Sequence, residues 1–177
     1  LKIGVEQEKF LFEGKNKKRI DSTKLEKIFK NLEKNKWEPI KEKNNIIGLK
    51  KEKKQITTEP GLQCELSGEP LDNIHQVCSE SSSYQREIKE ASKGLDISTA
   101  SIGFDPFNEL ENIPSSSKER YKIMAEEMPK GGELSLDMMY RTCGIQINFD
   151  YTSEKNFEQI FRIGNYLAPL TIAIFAN

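Results

Sequence analysis

The sequence predicts an α+β domain in which helices pack on a curved antiparallel sheet. Two observations carry that expectation. Alternating strand-like runs are interleaved with long segments of helical periodicity. In addition, the acidic residues of two of those runs fall on a single strand face. The chain has 177 residues, enough for one domain with a real core.

Taking the segments in order, residues 3–12 alternate as a strand. Ile3, Val5 and Leu11 lie on one face, and Glu6, Glu8, Phe10 and Phe12 on the other. Residues 15–18 form a polar turn. A helix follows, with Thr23 and Glu26 spaced as a capping box. Its apolar stripe is Leu25, Ile28, Phe29 and Leu32. Residues 41–54 are lysine-rich around Ile46, Ile47, Gly48 and Leu49, and read as a solvated hairpin.

The run ITTEPGLQCELSGEPL, residues 56–71, is strand-like around a Pro60-Gly61 turn. Glu59, Gln63 and Glu65 share parity, so an unbroken strand would present all three on one face. Asp72 is the expected N-cap of a helix stopped by Gly94, with Ile74, Val77, Cys78 and Tyr84 toward the core. Residues 96–104 read as a strand, 108–117 as a loop and 117–128 as a short helix. Residues 134–139 should lead into a strand over 142–150. On that strand Cys143, Ile145, Ile147 and Phe149 oppose Thr142, Gln146, Asn148 and Asp150. The last helix begins near Ser153, carries Phe157, Ile160, Phe161, Gly164 and Leu167 on one stripe, and is bent at Pro169.

Bulk properties narrow the function classes. Hydrophobic residues make up 36% and charged residues 31%, as in a polar globular chain. The net charge of −1 argues against an electrostatically driven nucleic-acid or membrane binder. No apolar run approaches the ~20 residues that cross a bilayer. Three cysteines and one histidine fit neither a disulfide framework nor a zinc site, which leads to a reducing cytoplasm as the expected compartment.

The acids are the chemically suggestive feature. Glu6, Glu8, Glu59 and Glu65 would be gathered on neighbouring strands, where like charges repel unless a cation neutralises them. Carboxylate oxygens suit a hard divalent ion such as Mg²⁺. A solvated acidic sheet face is the alternative reading. Arg141 could clamp a substrate carboxylate or form a structural ion pair. Gln63 and Asn148 could hydrogen-bond substrate or backbone. The single histidine, His75, reads as a packed or surface residue of its helix.

Several runs resemble the glutamate–cysteine ligase family of the plant and proteobacterial type. GVEQEKF at 4–10 is similar to the family's first strand, and EPGLQCELSGEPL at 59–71 to its E-P-G-G-Q-x-E-L-S-G-x-P-L segment. HQVC at 75–78, GFDP at 103–106, ERYKIM at 119–124, LDMMYRTCGIQINFD at 136–150 and IAIFAN at 172–177 follow in the family's order. The resemblance implies a glutamine-synthetase-like fold, with residues 1–177 as the N-terminal part of one catalytic domain, truncated at both ends. It implies ATP-dependent ligation of L-glutamate to L-cysteine through a γ-glutamyl phosphate, the first step of glutathione synthesis, with Mg²⁺ (or Mn²⁺). It places Glu6, Glu8, Glu59 and Glu65 as catalytic metal-holding carboxylates, with Gln146 as a softer ligand, and Arg141, Gln63 and Asn148 beside substrate. Another glutamate carboxylate–amine ligase, or a fragment that only binds metal or glutamate, are the alternatives. The chain departs from the family pattern at Leu62, Cys64 and residues 107–111.

Overall fold

The computed structural model describes residues 1–176. Asn177, the last residue of the IAIFAN match, lies outside them. The fold is α+β, and every strand ladder among the described residues is antiparallel.

The long first strand, β1 (Ile3–Glu13), is the spine. Its C-terminal half pairs with β2 (Lys18–Arg19) and with β7 (Ile97–Ala100). Its N-terminal half pairs with β6 (Cys64–Ser67) and with β8 (Ile145–Phe149). From β6 the sheet continues through β5 (Lys54–Thr58), β4 (Asn45–Lys51) and β3 (Glu38–Glu42). The lysine-rich stretch is thus two successive hairpins, and its lysines stay largely exposed, as expected.

Helices α1 (Ser22–Glu33) and α2 (Ile74–Ala91) cover one face of this sheet. The expected stripe Leu25, Ile28, Phe29 and Leu32 is fully buried against Leu11, Ile56, Leu66 and Tyr84. Burying each such side chain is worth about 1.5–3 kcal/mol. Both helix starts lie away from the expected caps. Asp21, not Thr23, accepts the Lys24 amide at 2.9 Å, and Asn73, not Asp72, accepts the Gln76 amide at 3.1 Å. In each case the short acceptor nearest the first apolar position takes the orphan donor three residues on. Ile74 and Cys78 are exposed, and Val77, Tyr84, Ile88 and Ala91 form the buried stripe of α2.

The second half of the chain departs further from expectation. The strand expected over 96–104 is limited to β7, and Phe104 makes an isolated bridge with Thr142. Helix α3 (Glu119–Glu127) occupies the expected 117–128 region, but residues 135–139, expected to lead into a strand, are helical, within α4 (Ser135–Arg141). A satellite cluster of Ile113, Tyr121, Met139 and Tyr140 forms between them. Helix α5 (Glu154–Phe175) is capped by Ser153, contains Pro169, and buries none of its residues.

A buried ion pair joins these parts. Arg19 is 1% exposed and Asp105 0%, with Nη1 to Oδ2 at 3.3 Å. Arg19 also donates to the carbonyls of Tyr140 (3.3 Å) and Gly61, and lies over the Phe10 ring. Asp105 Oδ1 accepts the Phe107 amide at 2.9 Å and both nitrogens of Asn108. Neither charge is left without partners, which is the condition for tolerating such a pair in a core.

The turn after β5 shows why residues 56–71 are not one strand. The Leu62 amide donates to the Glu59 carbonyl and the Glu59 amide to the Gln63 carbonyl, both at 2.9 Å. A methyl at Gly61 would stand 2.6 Å from the Tyr140 carbonyl, so glycine is required there. Leu62 adopts φ +59, a left-handed conformation that costs a non-glycine residue about 1–2 kcal/mol. Its side chain is 3% exposed, and that burial offsets the strain.

Two stability outcomes follow. Asp105→Asn strands the buried guanidinium and should cost about 3–5 kcal/mol in urea denaturation. A cost under about 1 kcal/mol would remove the ion pair from its central place. Leu62→Gly should destabilise by about 1–2 kcal/mol, because lost burial and added chain entropy exceed the relieved strain. A raised Tm in that variant would show the strain to be the larger quantity.

Candidate active site

The alternation of β1 puts its odd and even residues to opposite uses. Gln7 and Lys9 face the helix layer, where Gln7 accepts from Ser81 at 2.7 Å and Lys9 lies near the Tyr84 ring. Glu6 and Glu8 face the open side. Register then gathers the other expected residues. Glu8 is directly opposite Glu65, and Glu6 is opposite both Ser67 and Gln146. Asn148 stands opposite Gly4.

Each carboxylate is aimed by a specific donor. The Gly144 amide donates to Glu8 at 2.6 Å. The Thr57 and Ser67 hydroxyls donate to Glu65 at 3.3 and 3.1 Å. Asn148 Nδ2 donates to Glu6 at 3.2 Å, and Gln146 Nε2 donates in turn to Asn148 Oδ1 at 3.2 Å. Glu59 sits on the turn rather than on a strand, and the Tyr121 hydroxyl reaches both its oxygens at 3.0 Å.

Three adjoining hollows meet at these acids. One of about 420 Å³ is bounded by Glu59, Glu65, Lys118 and Arg120. A second, about 430 Å³, holds Glu6, Glu8, Glu65 and Gln146. A third, about 170 Å³, lies between Glu8, Glu59 and the methionines Met124, Met128, Met138 and Met139. Glu8, Glu59 and Glu65 are each shared by two of the three. Among the described residues, no three His, Cys, Asp or Glu side chains close into a metal cage. The acids line a floor open toward the hollows.

The electrostatics match this layout. Partial burial raises the Glu8 carboxyl above the usual carboxylate range, and the charges of Glu59, Glu65 and Glu6 add to it against the opposing Gly144 hydrogen bond. Burial likewise raises Glu65, with Glu59 and Glu6 contributing. Burial lowers the Lys118 ammonium, while Glu59 and Glu65 act to raise it. Oxygen donors that repel one another and remain partly exposed have the chemistry suited to a hard divalent cation.

Two expected substrate contacts are engaged within the chain. Gln63 borders the smallest hollow, but its Oε1 accepts the Gly61 amide at 2.8 Å and its Nε2 donates to the carbonyls of Thr142 (2.9 Å) and Met139 (3.3 Å). The turn breaks the parity that would have aimed it alongside Glu65. Arg141 forms an ion pair with Asp137 at 2.8 Å, donates to the Asp105 carbonyl and stacks on Phe104. That is the structural ion-pair alternative, and it follows from the helical i, i+4 spacing of Asp137 and Arg141 in α4.

Sequence reasoning missed Lys118 and Arg120, which supply the basic wall of the hollow of about 420 Å³, and Tyr121, which with Arg120 holds Glu59. Tyr121 and Arg120 lie in the ERYKIM match, but nothing in that local pattern tells which strand they face. His75 is exposed on α2, on no wall of these hollows.

The raised carboxyls give a signed pH effect. Glu8 and Glu65 hold a proton more tightly folded than unfolded, so they destabilise the fold as pH rises from the ordinary carboxylate range through their raised values. In metal-free buffer at neutral pH, Glu65→Gln should therefore raise Tm by about 2 °C. Near pH ~4, where both forms are neutral, the difference should vanish. A lowered Tm at neutral pH would mean the acids do not repel.

Comparison with known proteins gives a consistent assignment. The sequence profile of glutamate-cysteine ligase family 2 matches residues 2–177. Glutamate–cysteine ligase A, chloroplastic, of Oryza sativa subsp. japonica is 45% identical over 177 residues, covering 99% of this chain and 36% of the rice protein. The chloroplastic enzymes of Medicago truncatula and Arabidopsis thaliana are each 42% identical over the same length, with 35% and 34% of their own chains covered. The chain thus spans about a third of the length of the curated relatives it matches. Those relatives are described as chloroplastic, which overturns the cytoplasmic expectation: reduced cysteines are as compatible with a plastid as with the cytosol, so cysteine usage could not separate them. With residues 2–177 matched by the family profile, this chain belongs to glutamate–cysteine ligase family 2.

Proposed function

We propose that this chain supplies the acidic floor of an ATP-dependent glutamate–cysteine ligase, as the N-terminal part of its catalytic domain. The reaction is ligation of the γ-carboxylate of L-glutamate to the amine of L-cysteine, with ATP activating the carboxylate. The observation that carries this reading is the meeting of three hollows at Glu8, Glu59 and Glu65. Such a floor suits reactants that must be brought together around transferring phosphate. The one-sided helix layer and open antiparallel face support a glutamine-synthetase-like classification of the fold.

Glu6, Glu8, Glu59 and Glu65 are the residues that would hold Mg²⁺, with Gln146 as a neutral oxygen donor on the neighbouring strand. When bound, the ion neutralises phosphate charge. The chain's own task is positioning. Gly144, Thr57, Ser67, Asn148 and Tyr121 fix the carboxylates from below, so the acids need no reorganisation when charge develops. Lys118 and Arg120 stand on the wall of the hollow bounded by Glu59 and Glu65, where they can attract an anionic reactant. No protein nucleophile is required, and in-line transfer between substrates suffices.

Turnover of the full-length protein tests the assignment. Glu6→Gln and Glu65→Gln should each lower kcat for γ-glutamylcysteine formation at least ~100-fold, since each removes charge from the phosphate-facing floor. Near-normal turnover in either variant would sink the metal assignment.

A further inference from the structure

The helix-covered side of β1 holds a further polar hollow, on the opposite face of the strand from Glu6 and Glu8. It measures about 700 Å³ and is bounded by α2 and β7, with Lys9 from β1. Its chemistry is opposite to that of the acidic face. Lys9, Arg86 and Lys89 line it, together with Ser82, Ser92, Ser98, Thr99 and Ser101, and no carboxylate does. An adjoining hollow shares Lys89, Ser92 and Ser98 and adds Lys15, Lys17 and Lys93, with Asp96 as its one acid.

Two buried groups in this hollow lack the partners that burial demands. Lys9 is 4% exposed, yet among the described residues its ammonium meets only the Ser101 hydroxyl, at 2.8 Å, and the Tyr84 ring. A buried cation without a carboxylate is costly. Ser92 is 6% exposed, and its hydroxyl has no hydrogen-bond partner. Arg86 and Lys89 also make no salt bridge among the described residues; Arg86 donates only to Ser83.

We propose that this hollow binds a small phosphorylated molecule, with Lys9, Arg86 and Lys89 neutralising the phosphate and Ser92, Ser98 and Ser101 donating hydrogen bonds to it. Cations and hydroxyls on several sides suit a tetrahedral group with many acceptor lone pairs better than a planar carboxylate. The volume exceeds that of bare phosphate and falls in the range of small-molecule sites. The ligand would sit behind β1, beside the residue that follows Glu8, so its binding would brace the strand that carries Glu6 and Glu8. The inference rests on none of the ligase chemistry.

The test is calorimetric titration of the purified protein with inorganic phosphate and, separately, glycerol phosphate. EDTA keeps divalent ions off the acidic face, and ionic strength is held constant. Saturable binding is expected, tighter for the phosphomonoester if the remaining volume holds the organic part, and tighter for inorganic phosphate if only the anion is read. The Arg86→Gln/Lys89→Gln double variant should weaken binding at least tenfold with Tm unchanged, since both side chains are exposed. Lys9→Met should weaken it as much, whereas Glu65→Gln should leave it intact. Absence of saturable binding to ~10 mM, equal affinity in the double variant, or loss of binding in Glu65→Gln would each overturn the proposal.

Discussion

Arg19 is the constraint on which the rest of the structure depends. It is a guanidinium with almost no solvent contact, and it ties four separate segments by one planar group: β2, the turn at Gly61, the end of α4 and the loop at Asp105. A cation at this depth is stable only while every partner stays in place. The turn bearing Glu59 is therefore held at one height relative to β1, and α4 is held where it delivers Gly144 to Glu8. The distances among the acids inherit their definition from a charge pair that none of them touches.

The two faces of β1 show how one strand serves unlike environments. Odd positions run from Val5 to Leu11 into the helix layer, and Glu6 and Glu8 meet the open face. A strand period of two makes this division strict, so a one-residue slip would bury the acids and expose the core. Pairing on both sides of β1, by β6 and β8 and by β2 and β7, blocks that slip. The same alternation places Lys9 back to back with Glu8, and gives the protein an acidic surface and a basic hollow separated by a single layer of backbone.

Much of this was legible in the sequence where local pattern and packing agree. The stripe of α1 and the alternation of Glu6 and Glu8 follow from periodicity, whereas the register that sets Glu8 opposite Glu65 comes from the pairing of β1 with β6. Other features were hidden because they depend on distant partners. Arg19 stands in a run of lysines that reads as a polar turn, and only tertiary contact with Asp105 distinguishes it. Gln63 shares parity with Glu65, but the hairpin turn redirects it. The left-handed Leu62 stands where the family pattern has glycine, and its tolerance depends on a core that no local rule reveals. Arg141 and Asp137 become an ion pair only because residues 135–141 are helical.

Helix α5 has a consequence for how the molecule opens. It is capped by Ser153 and satisfied by its own backbone bonds, yet none of its side chains enters the core. Its helicity therefore draws on local propensity and local side-chain contacts, among them the Tyr151–Phe157 and Phe157–Phe161 ring pairs and the Glu158–Arg162 ion pair, and Pro169 interrupts its hydrogen-bond ladder. In hydrogen-exchange terms α5 constitutes its own low-stability unit, opening without the sheet. Protection in β1 and α1 would report global unfolding, while protection in α5 would rise only when another surface covers it. Amide exchange along this one helix is thus a direct gauge of whether its apolar side is engaged.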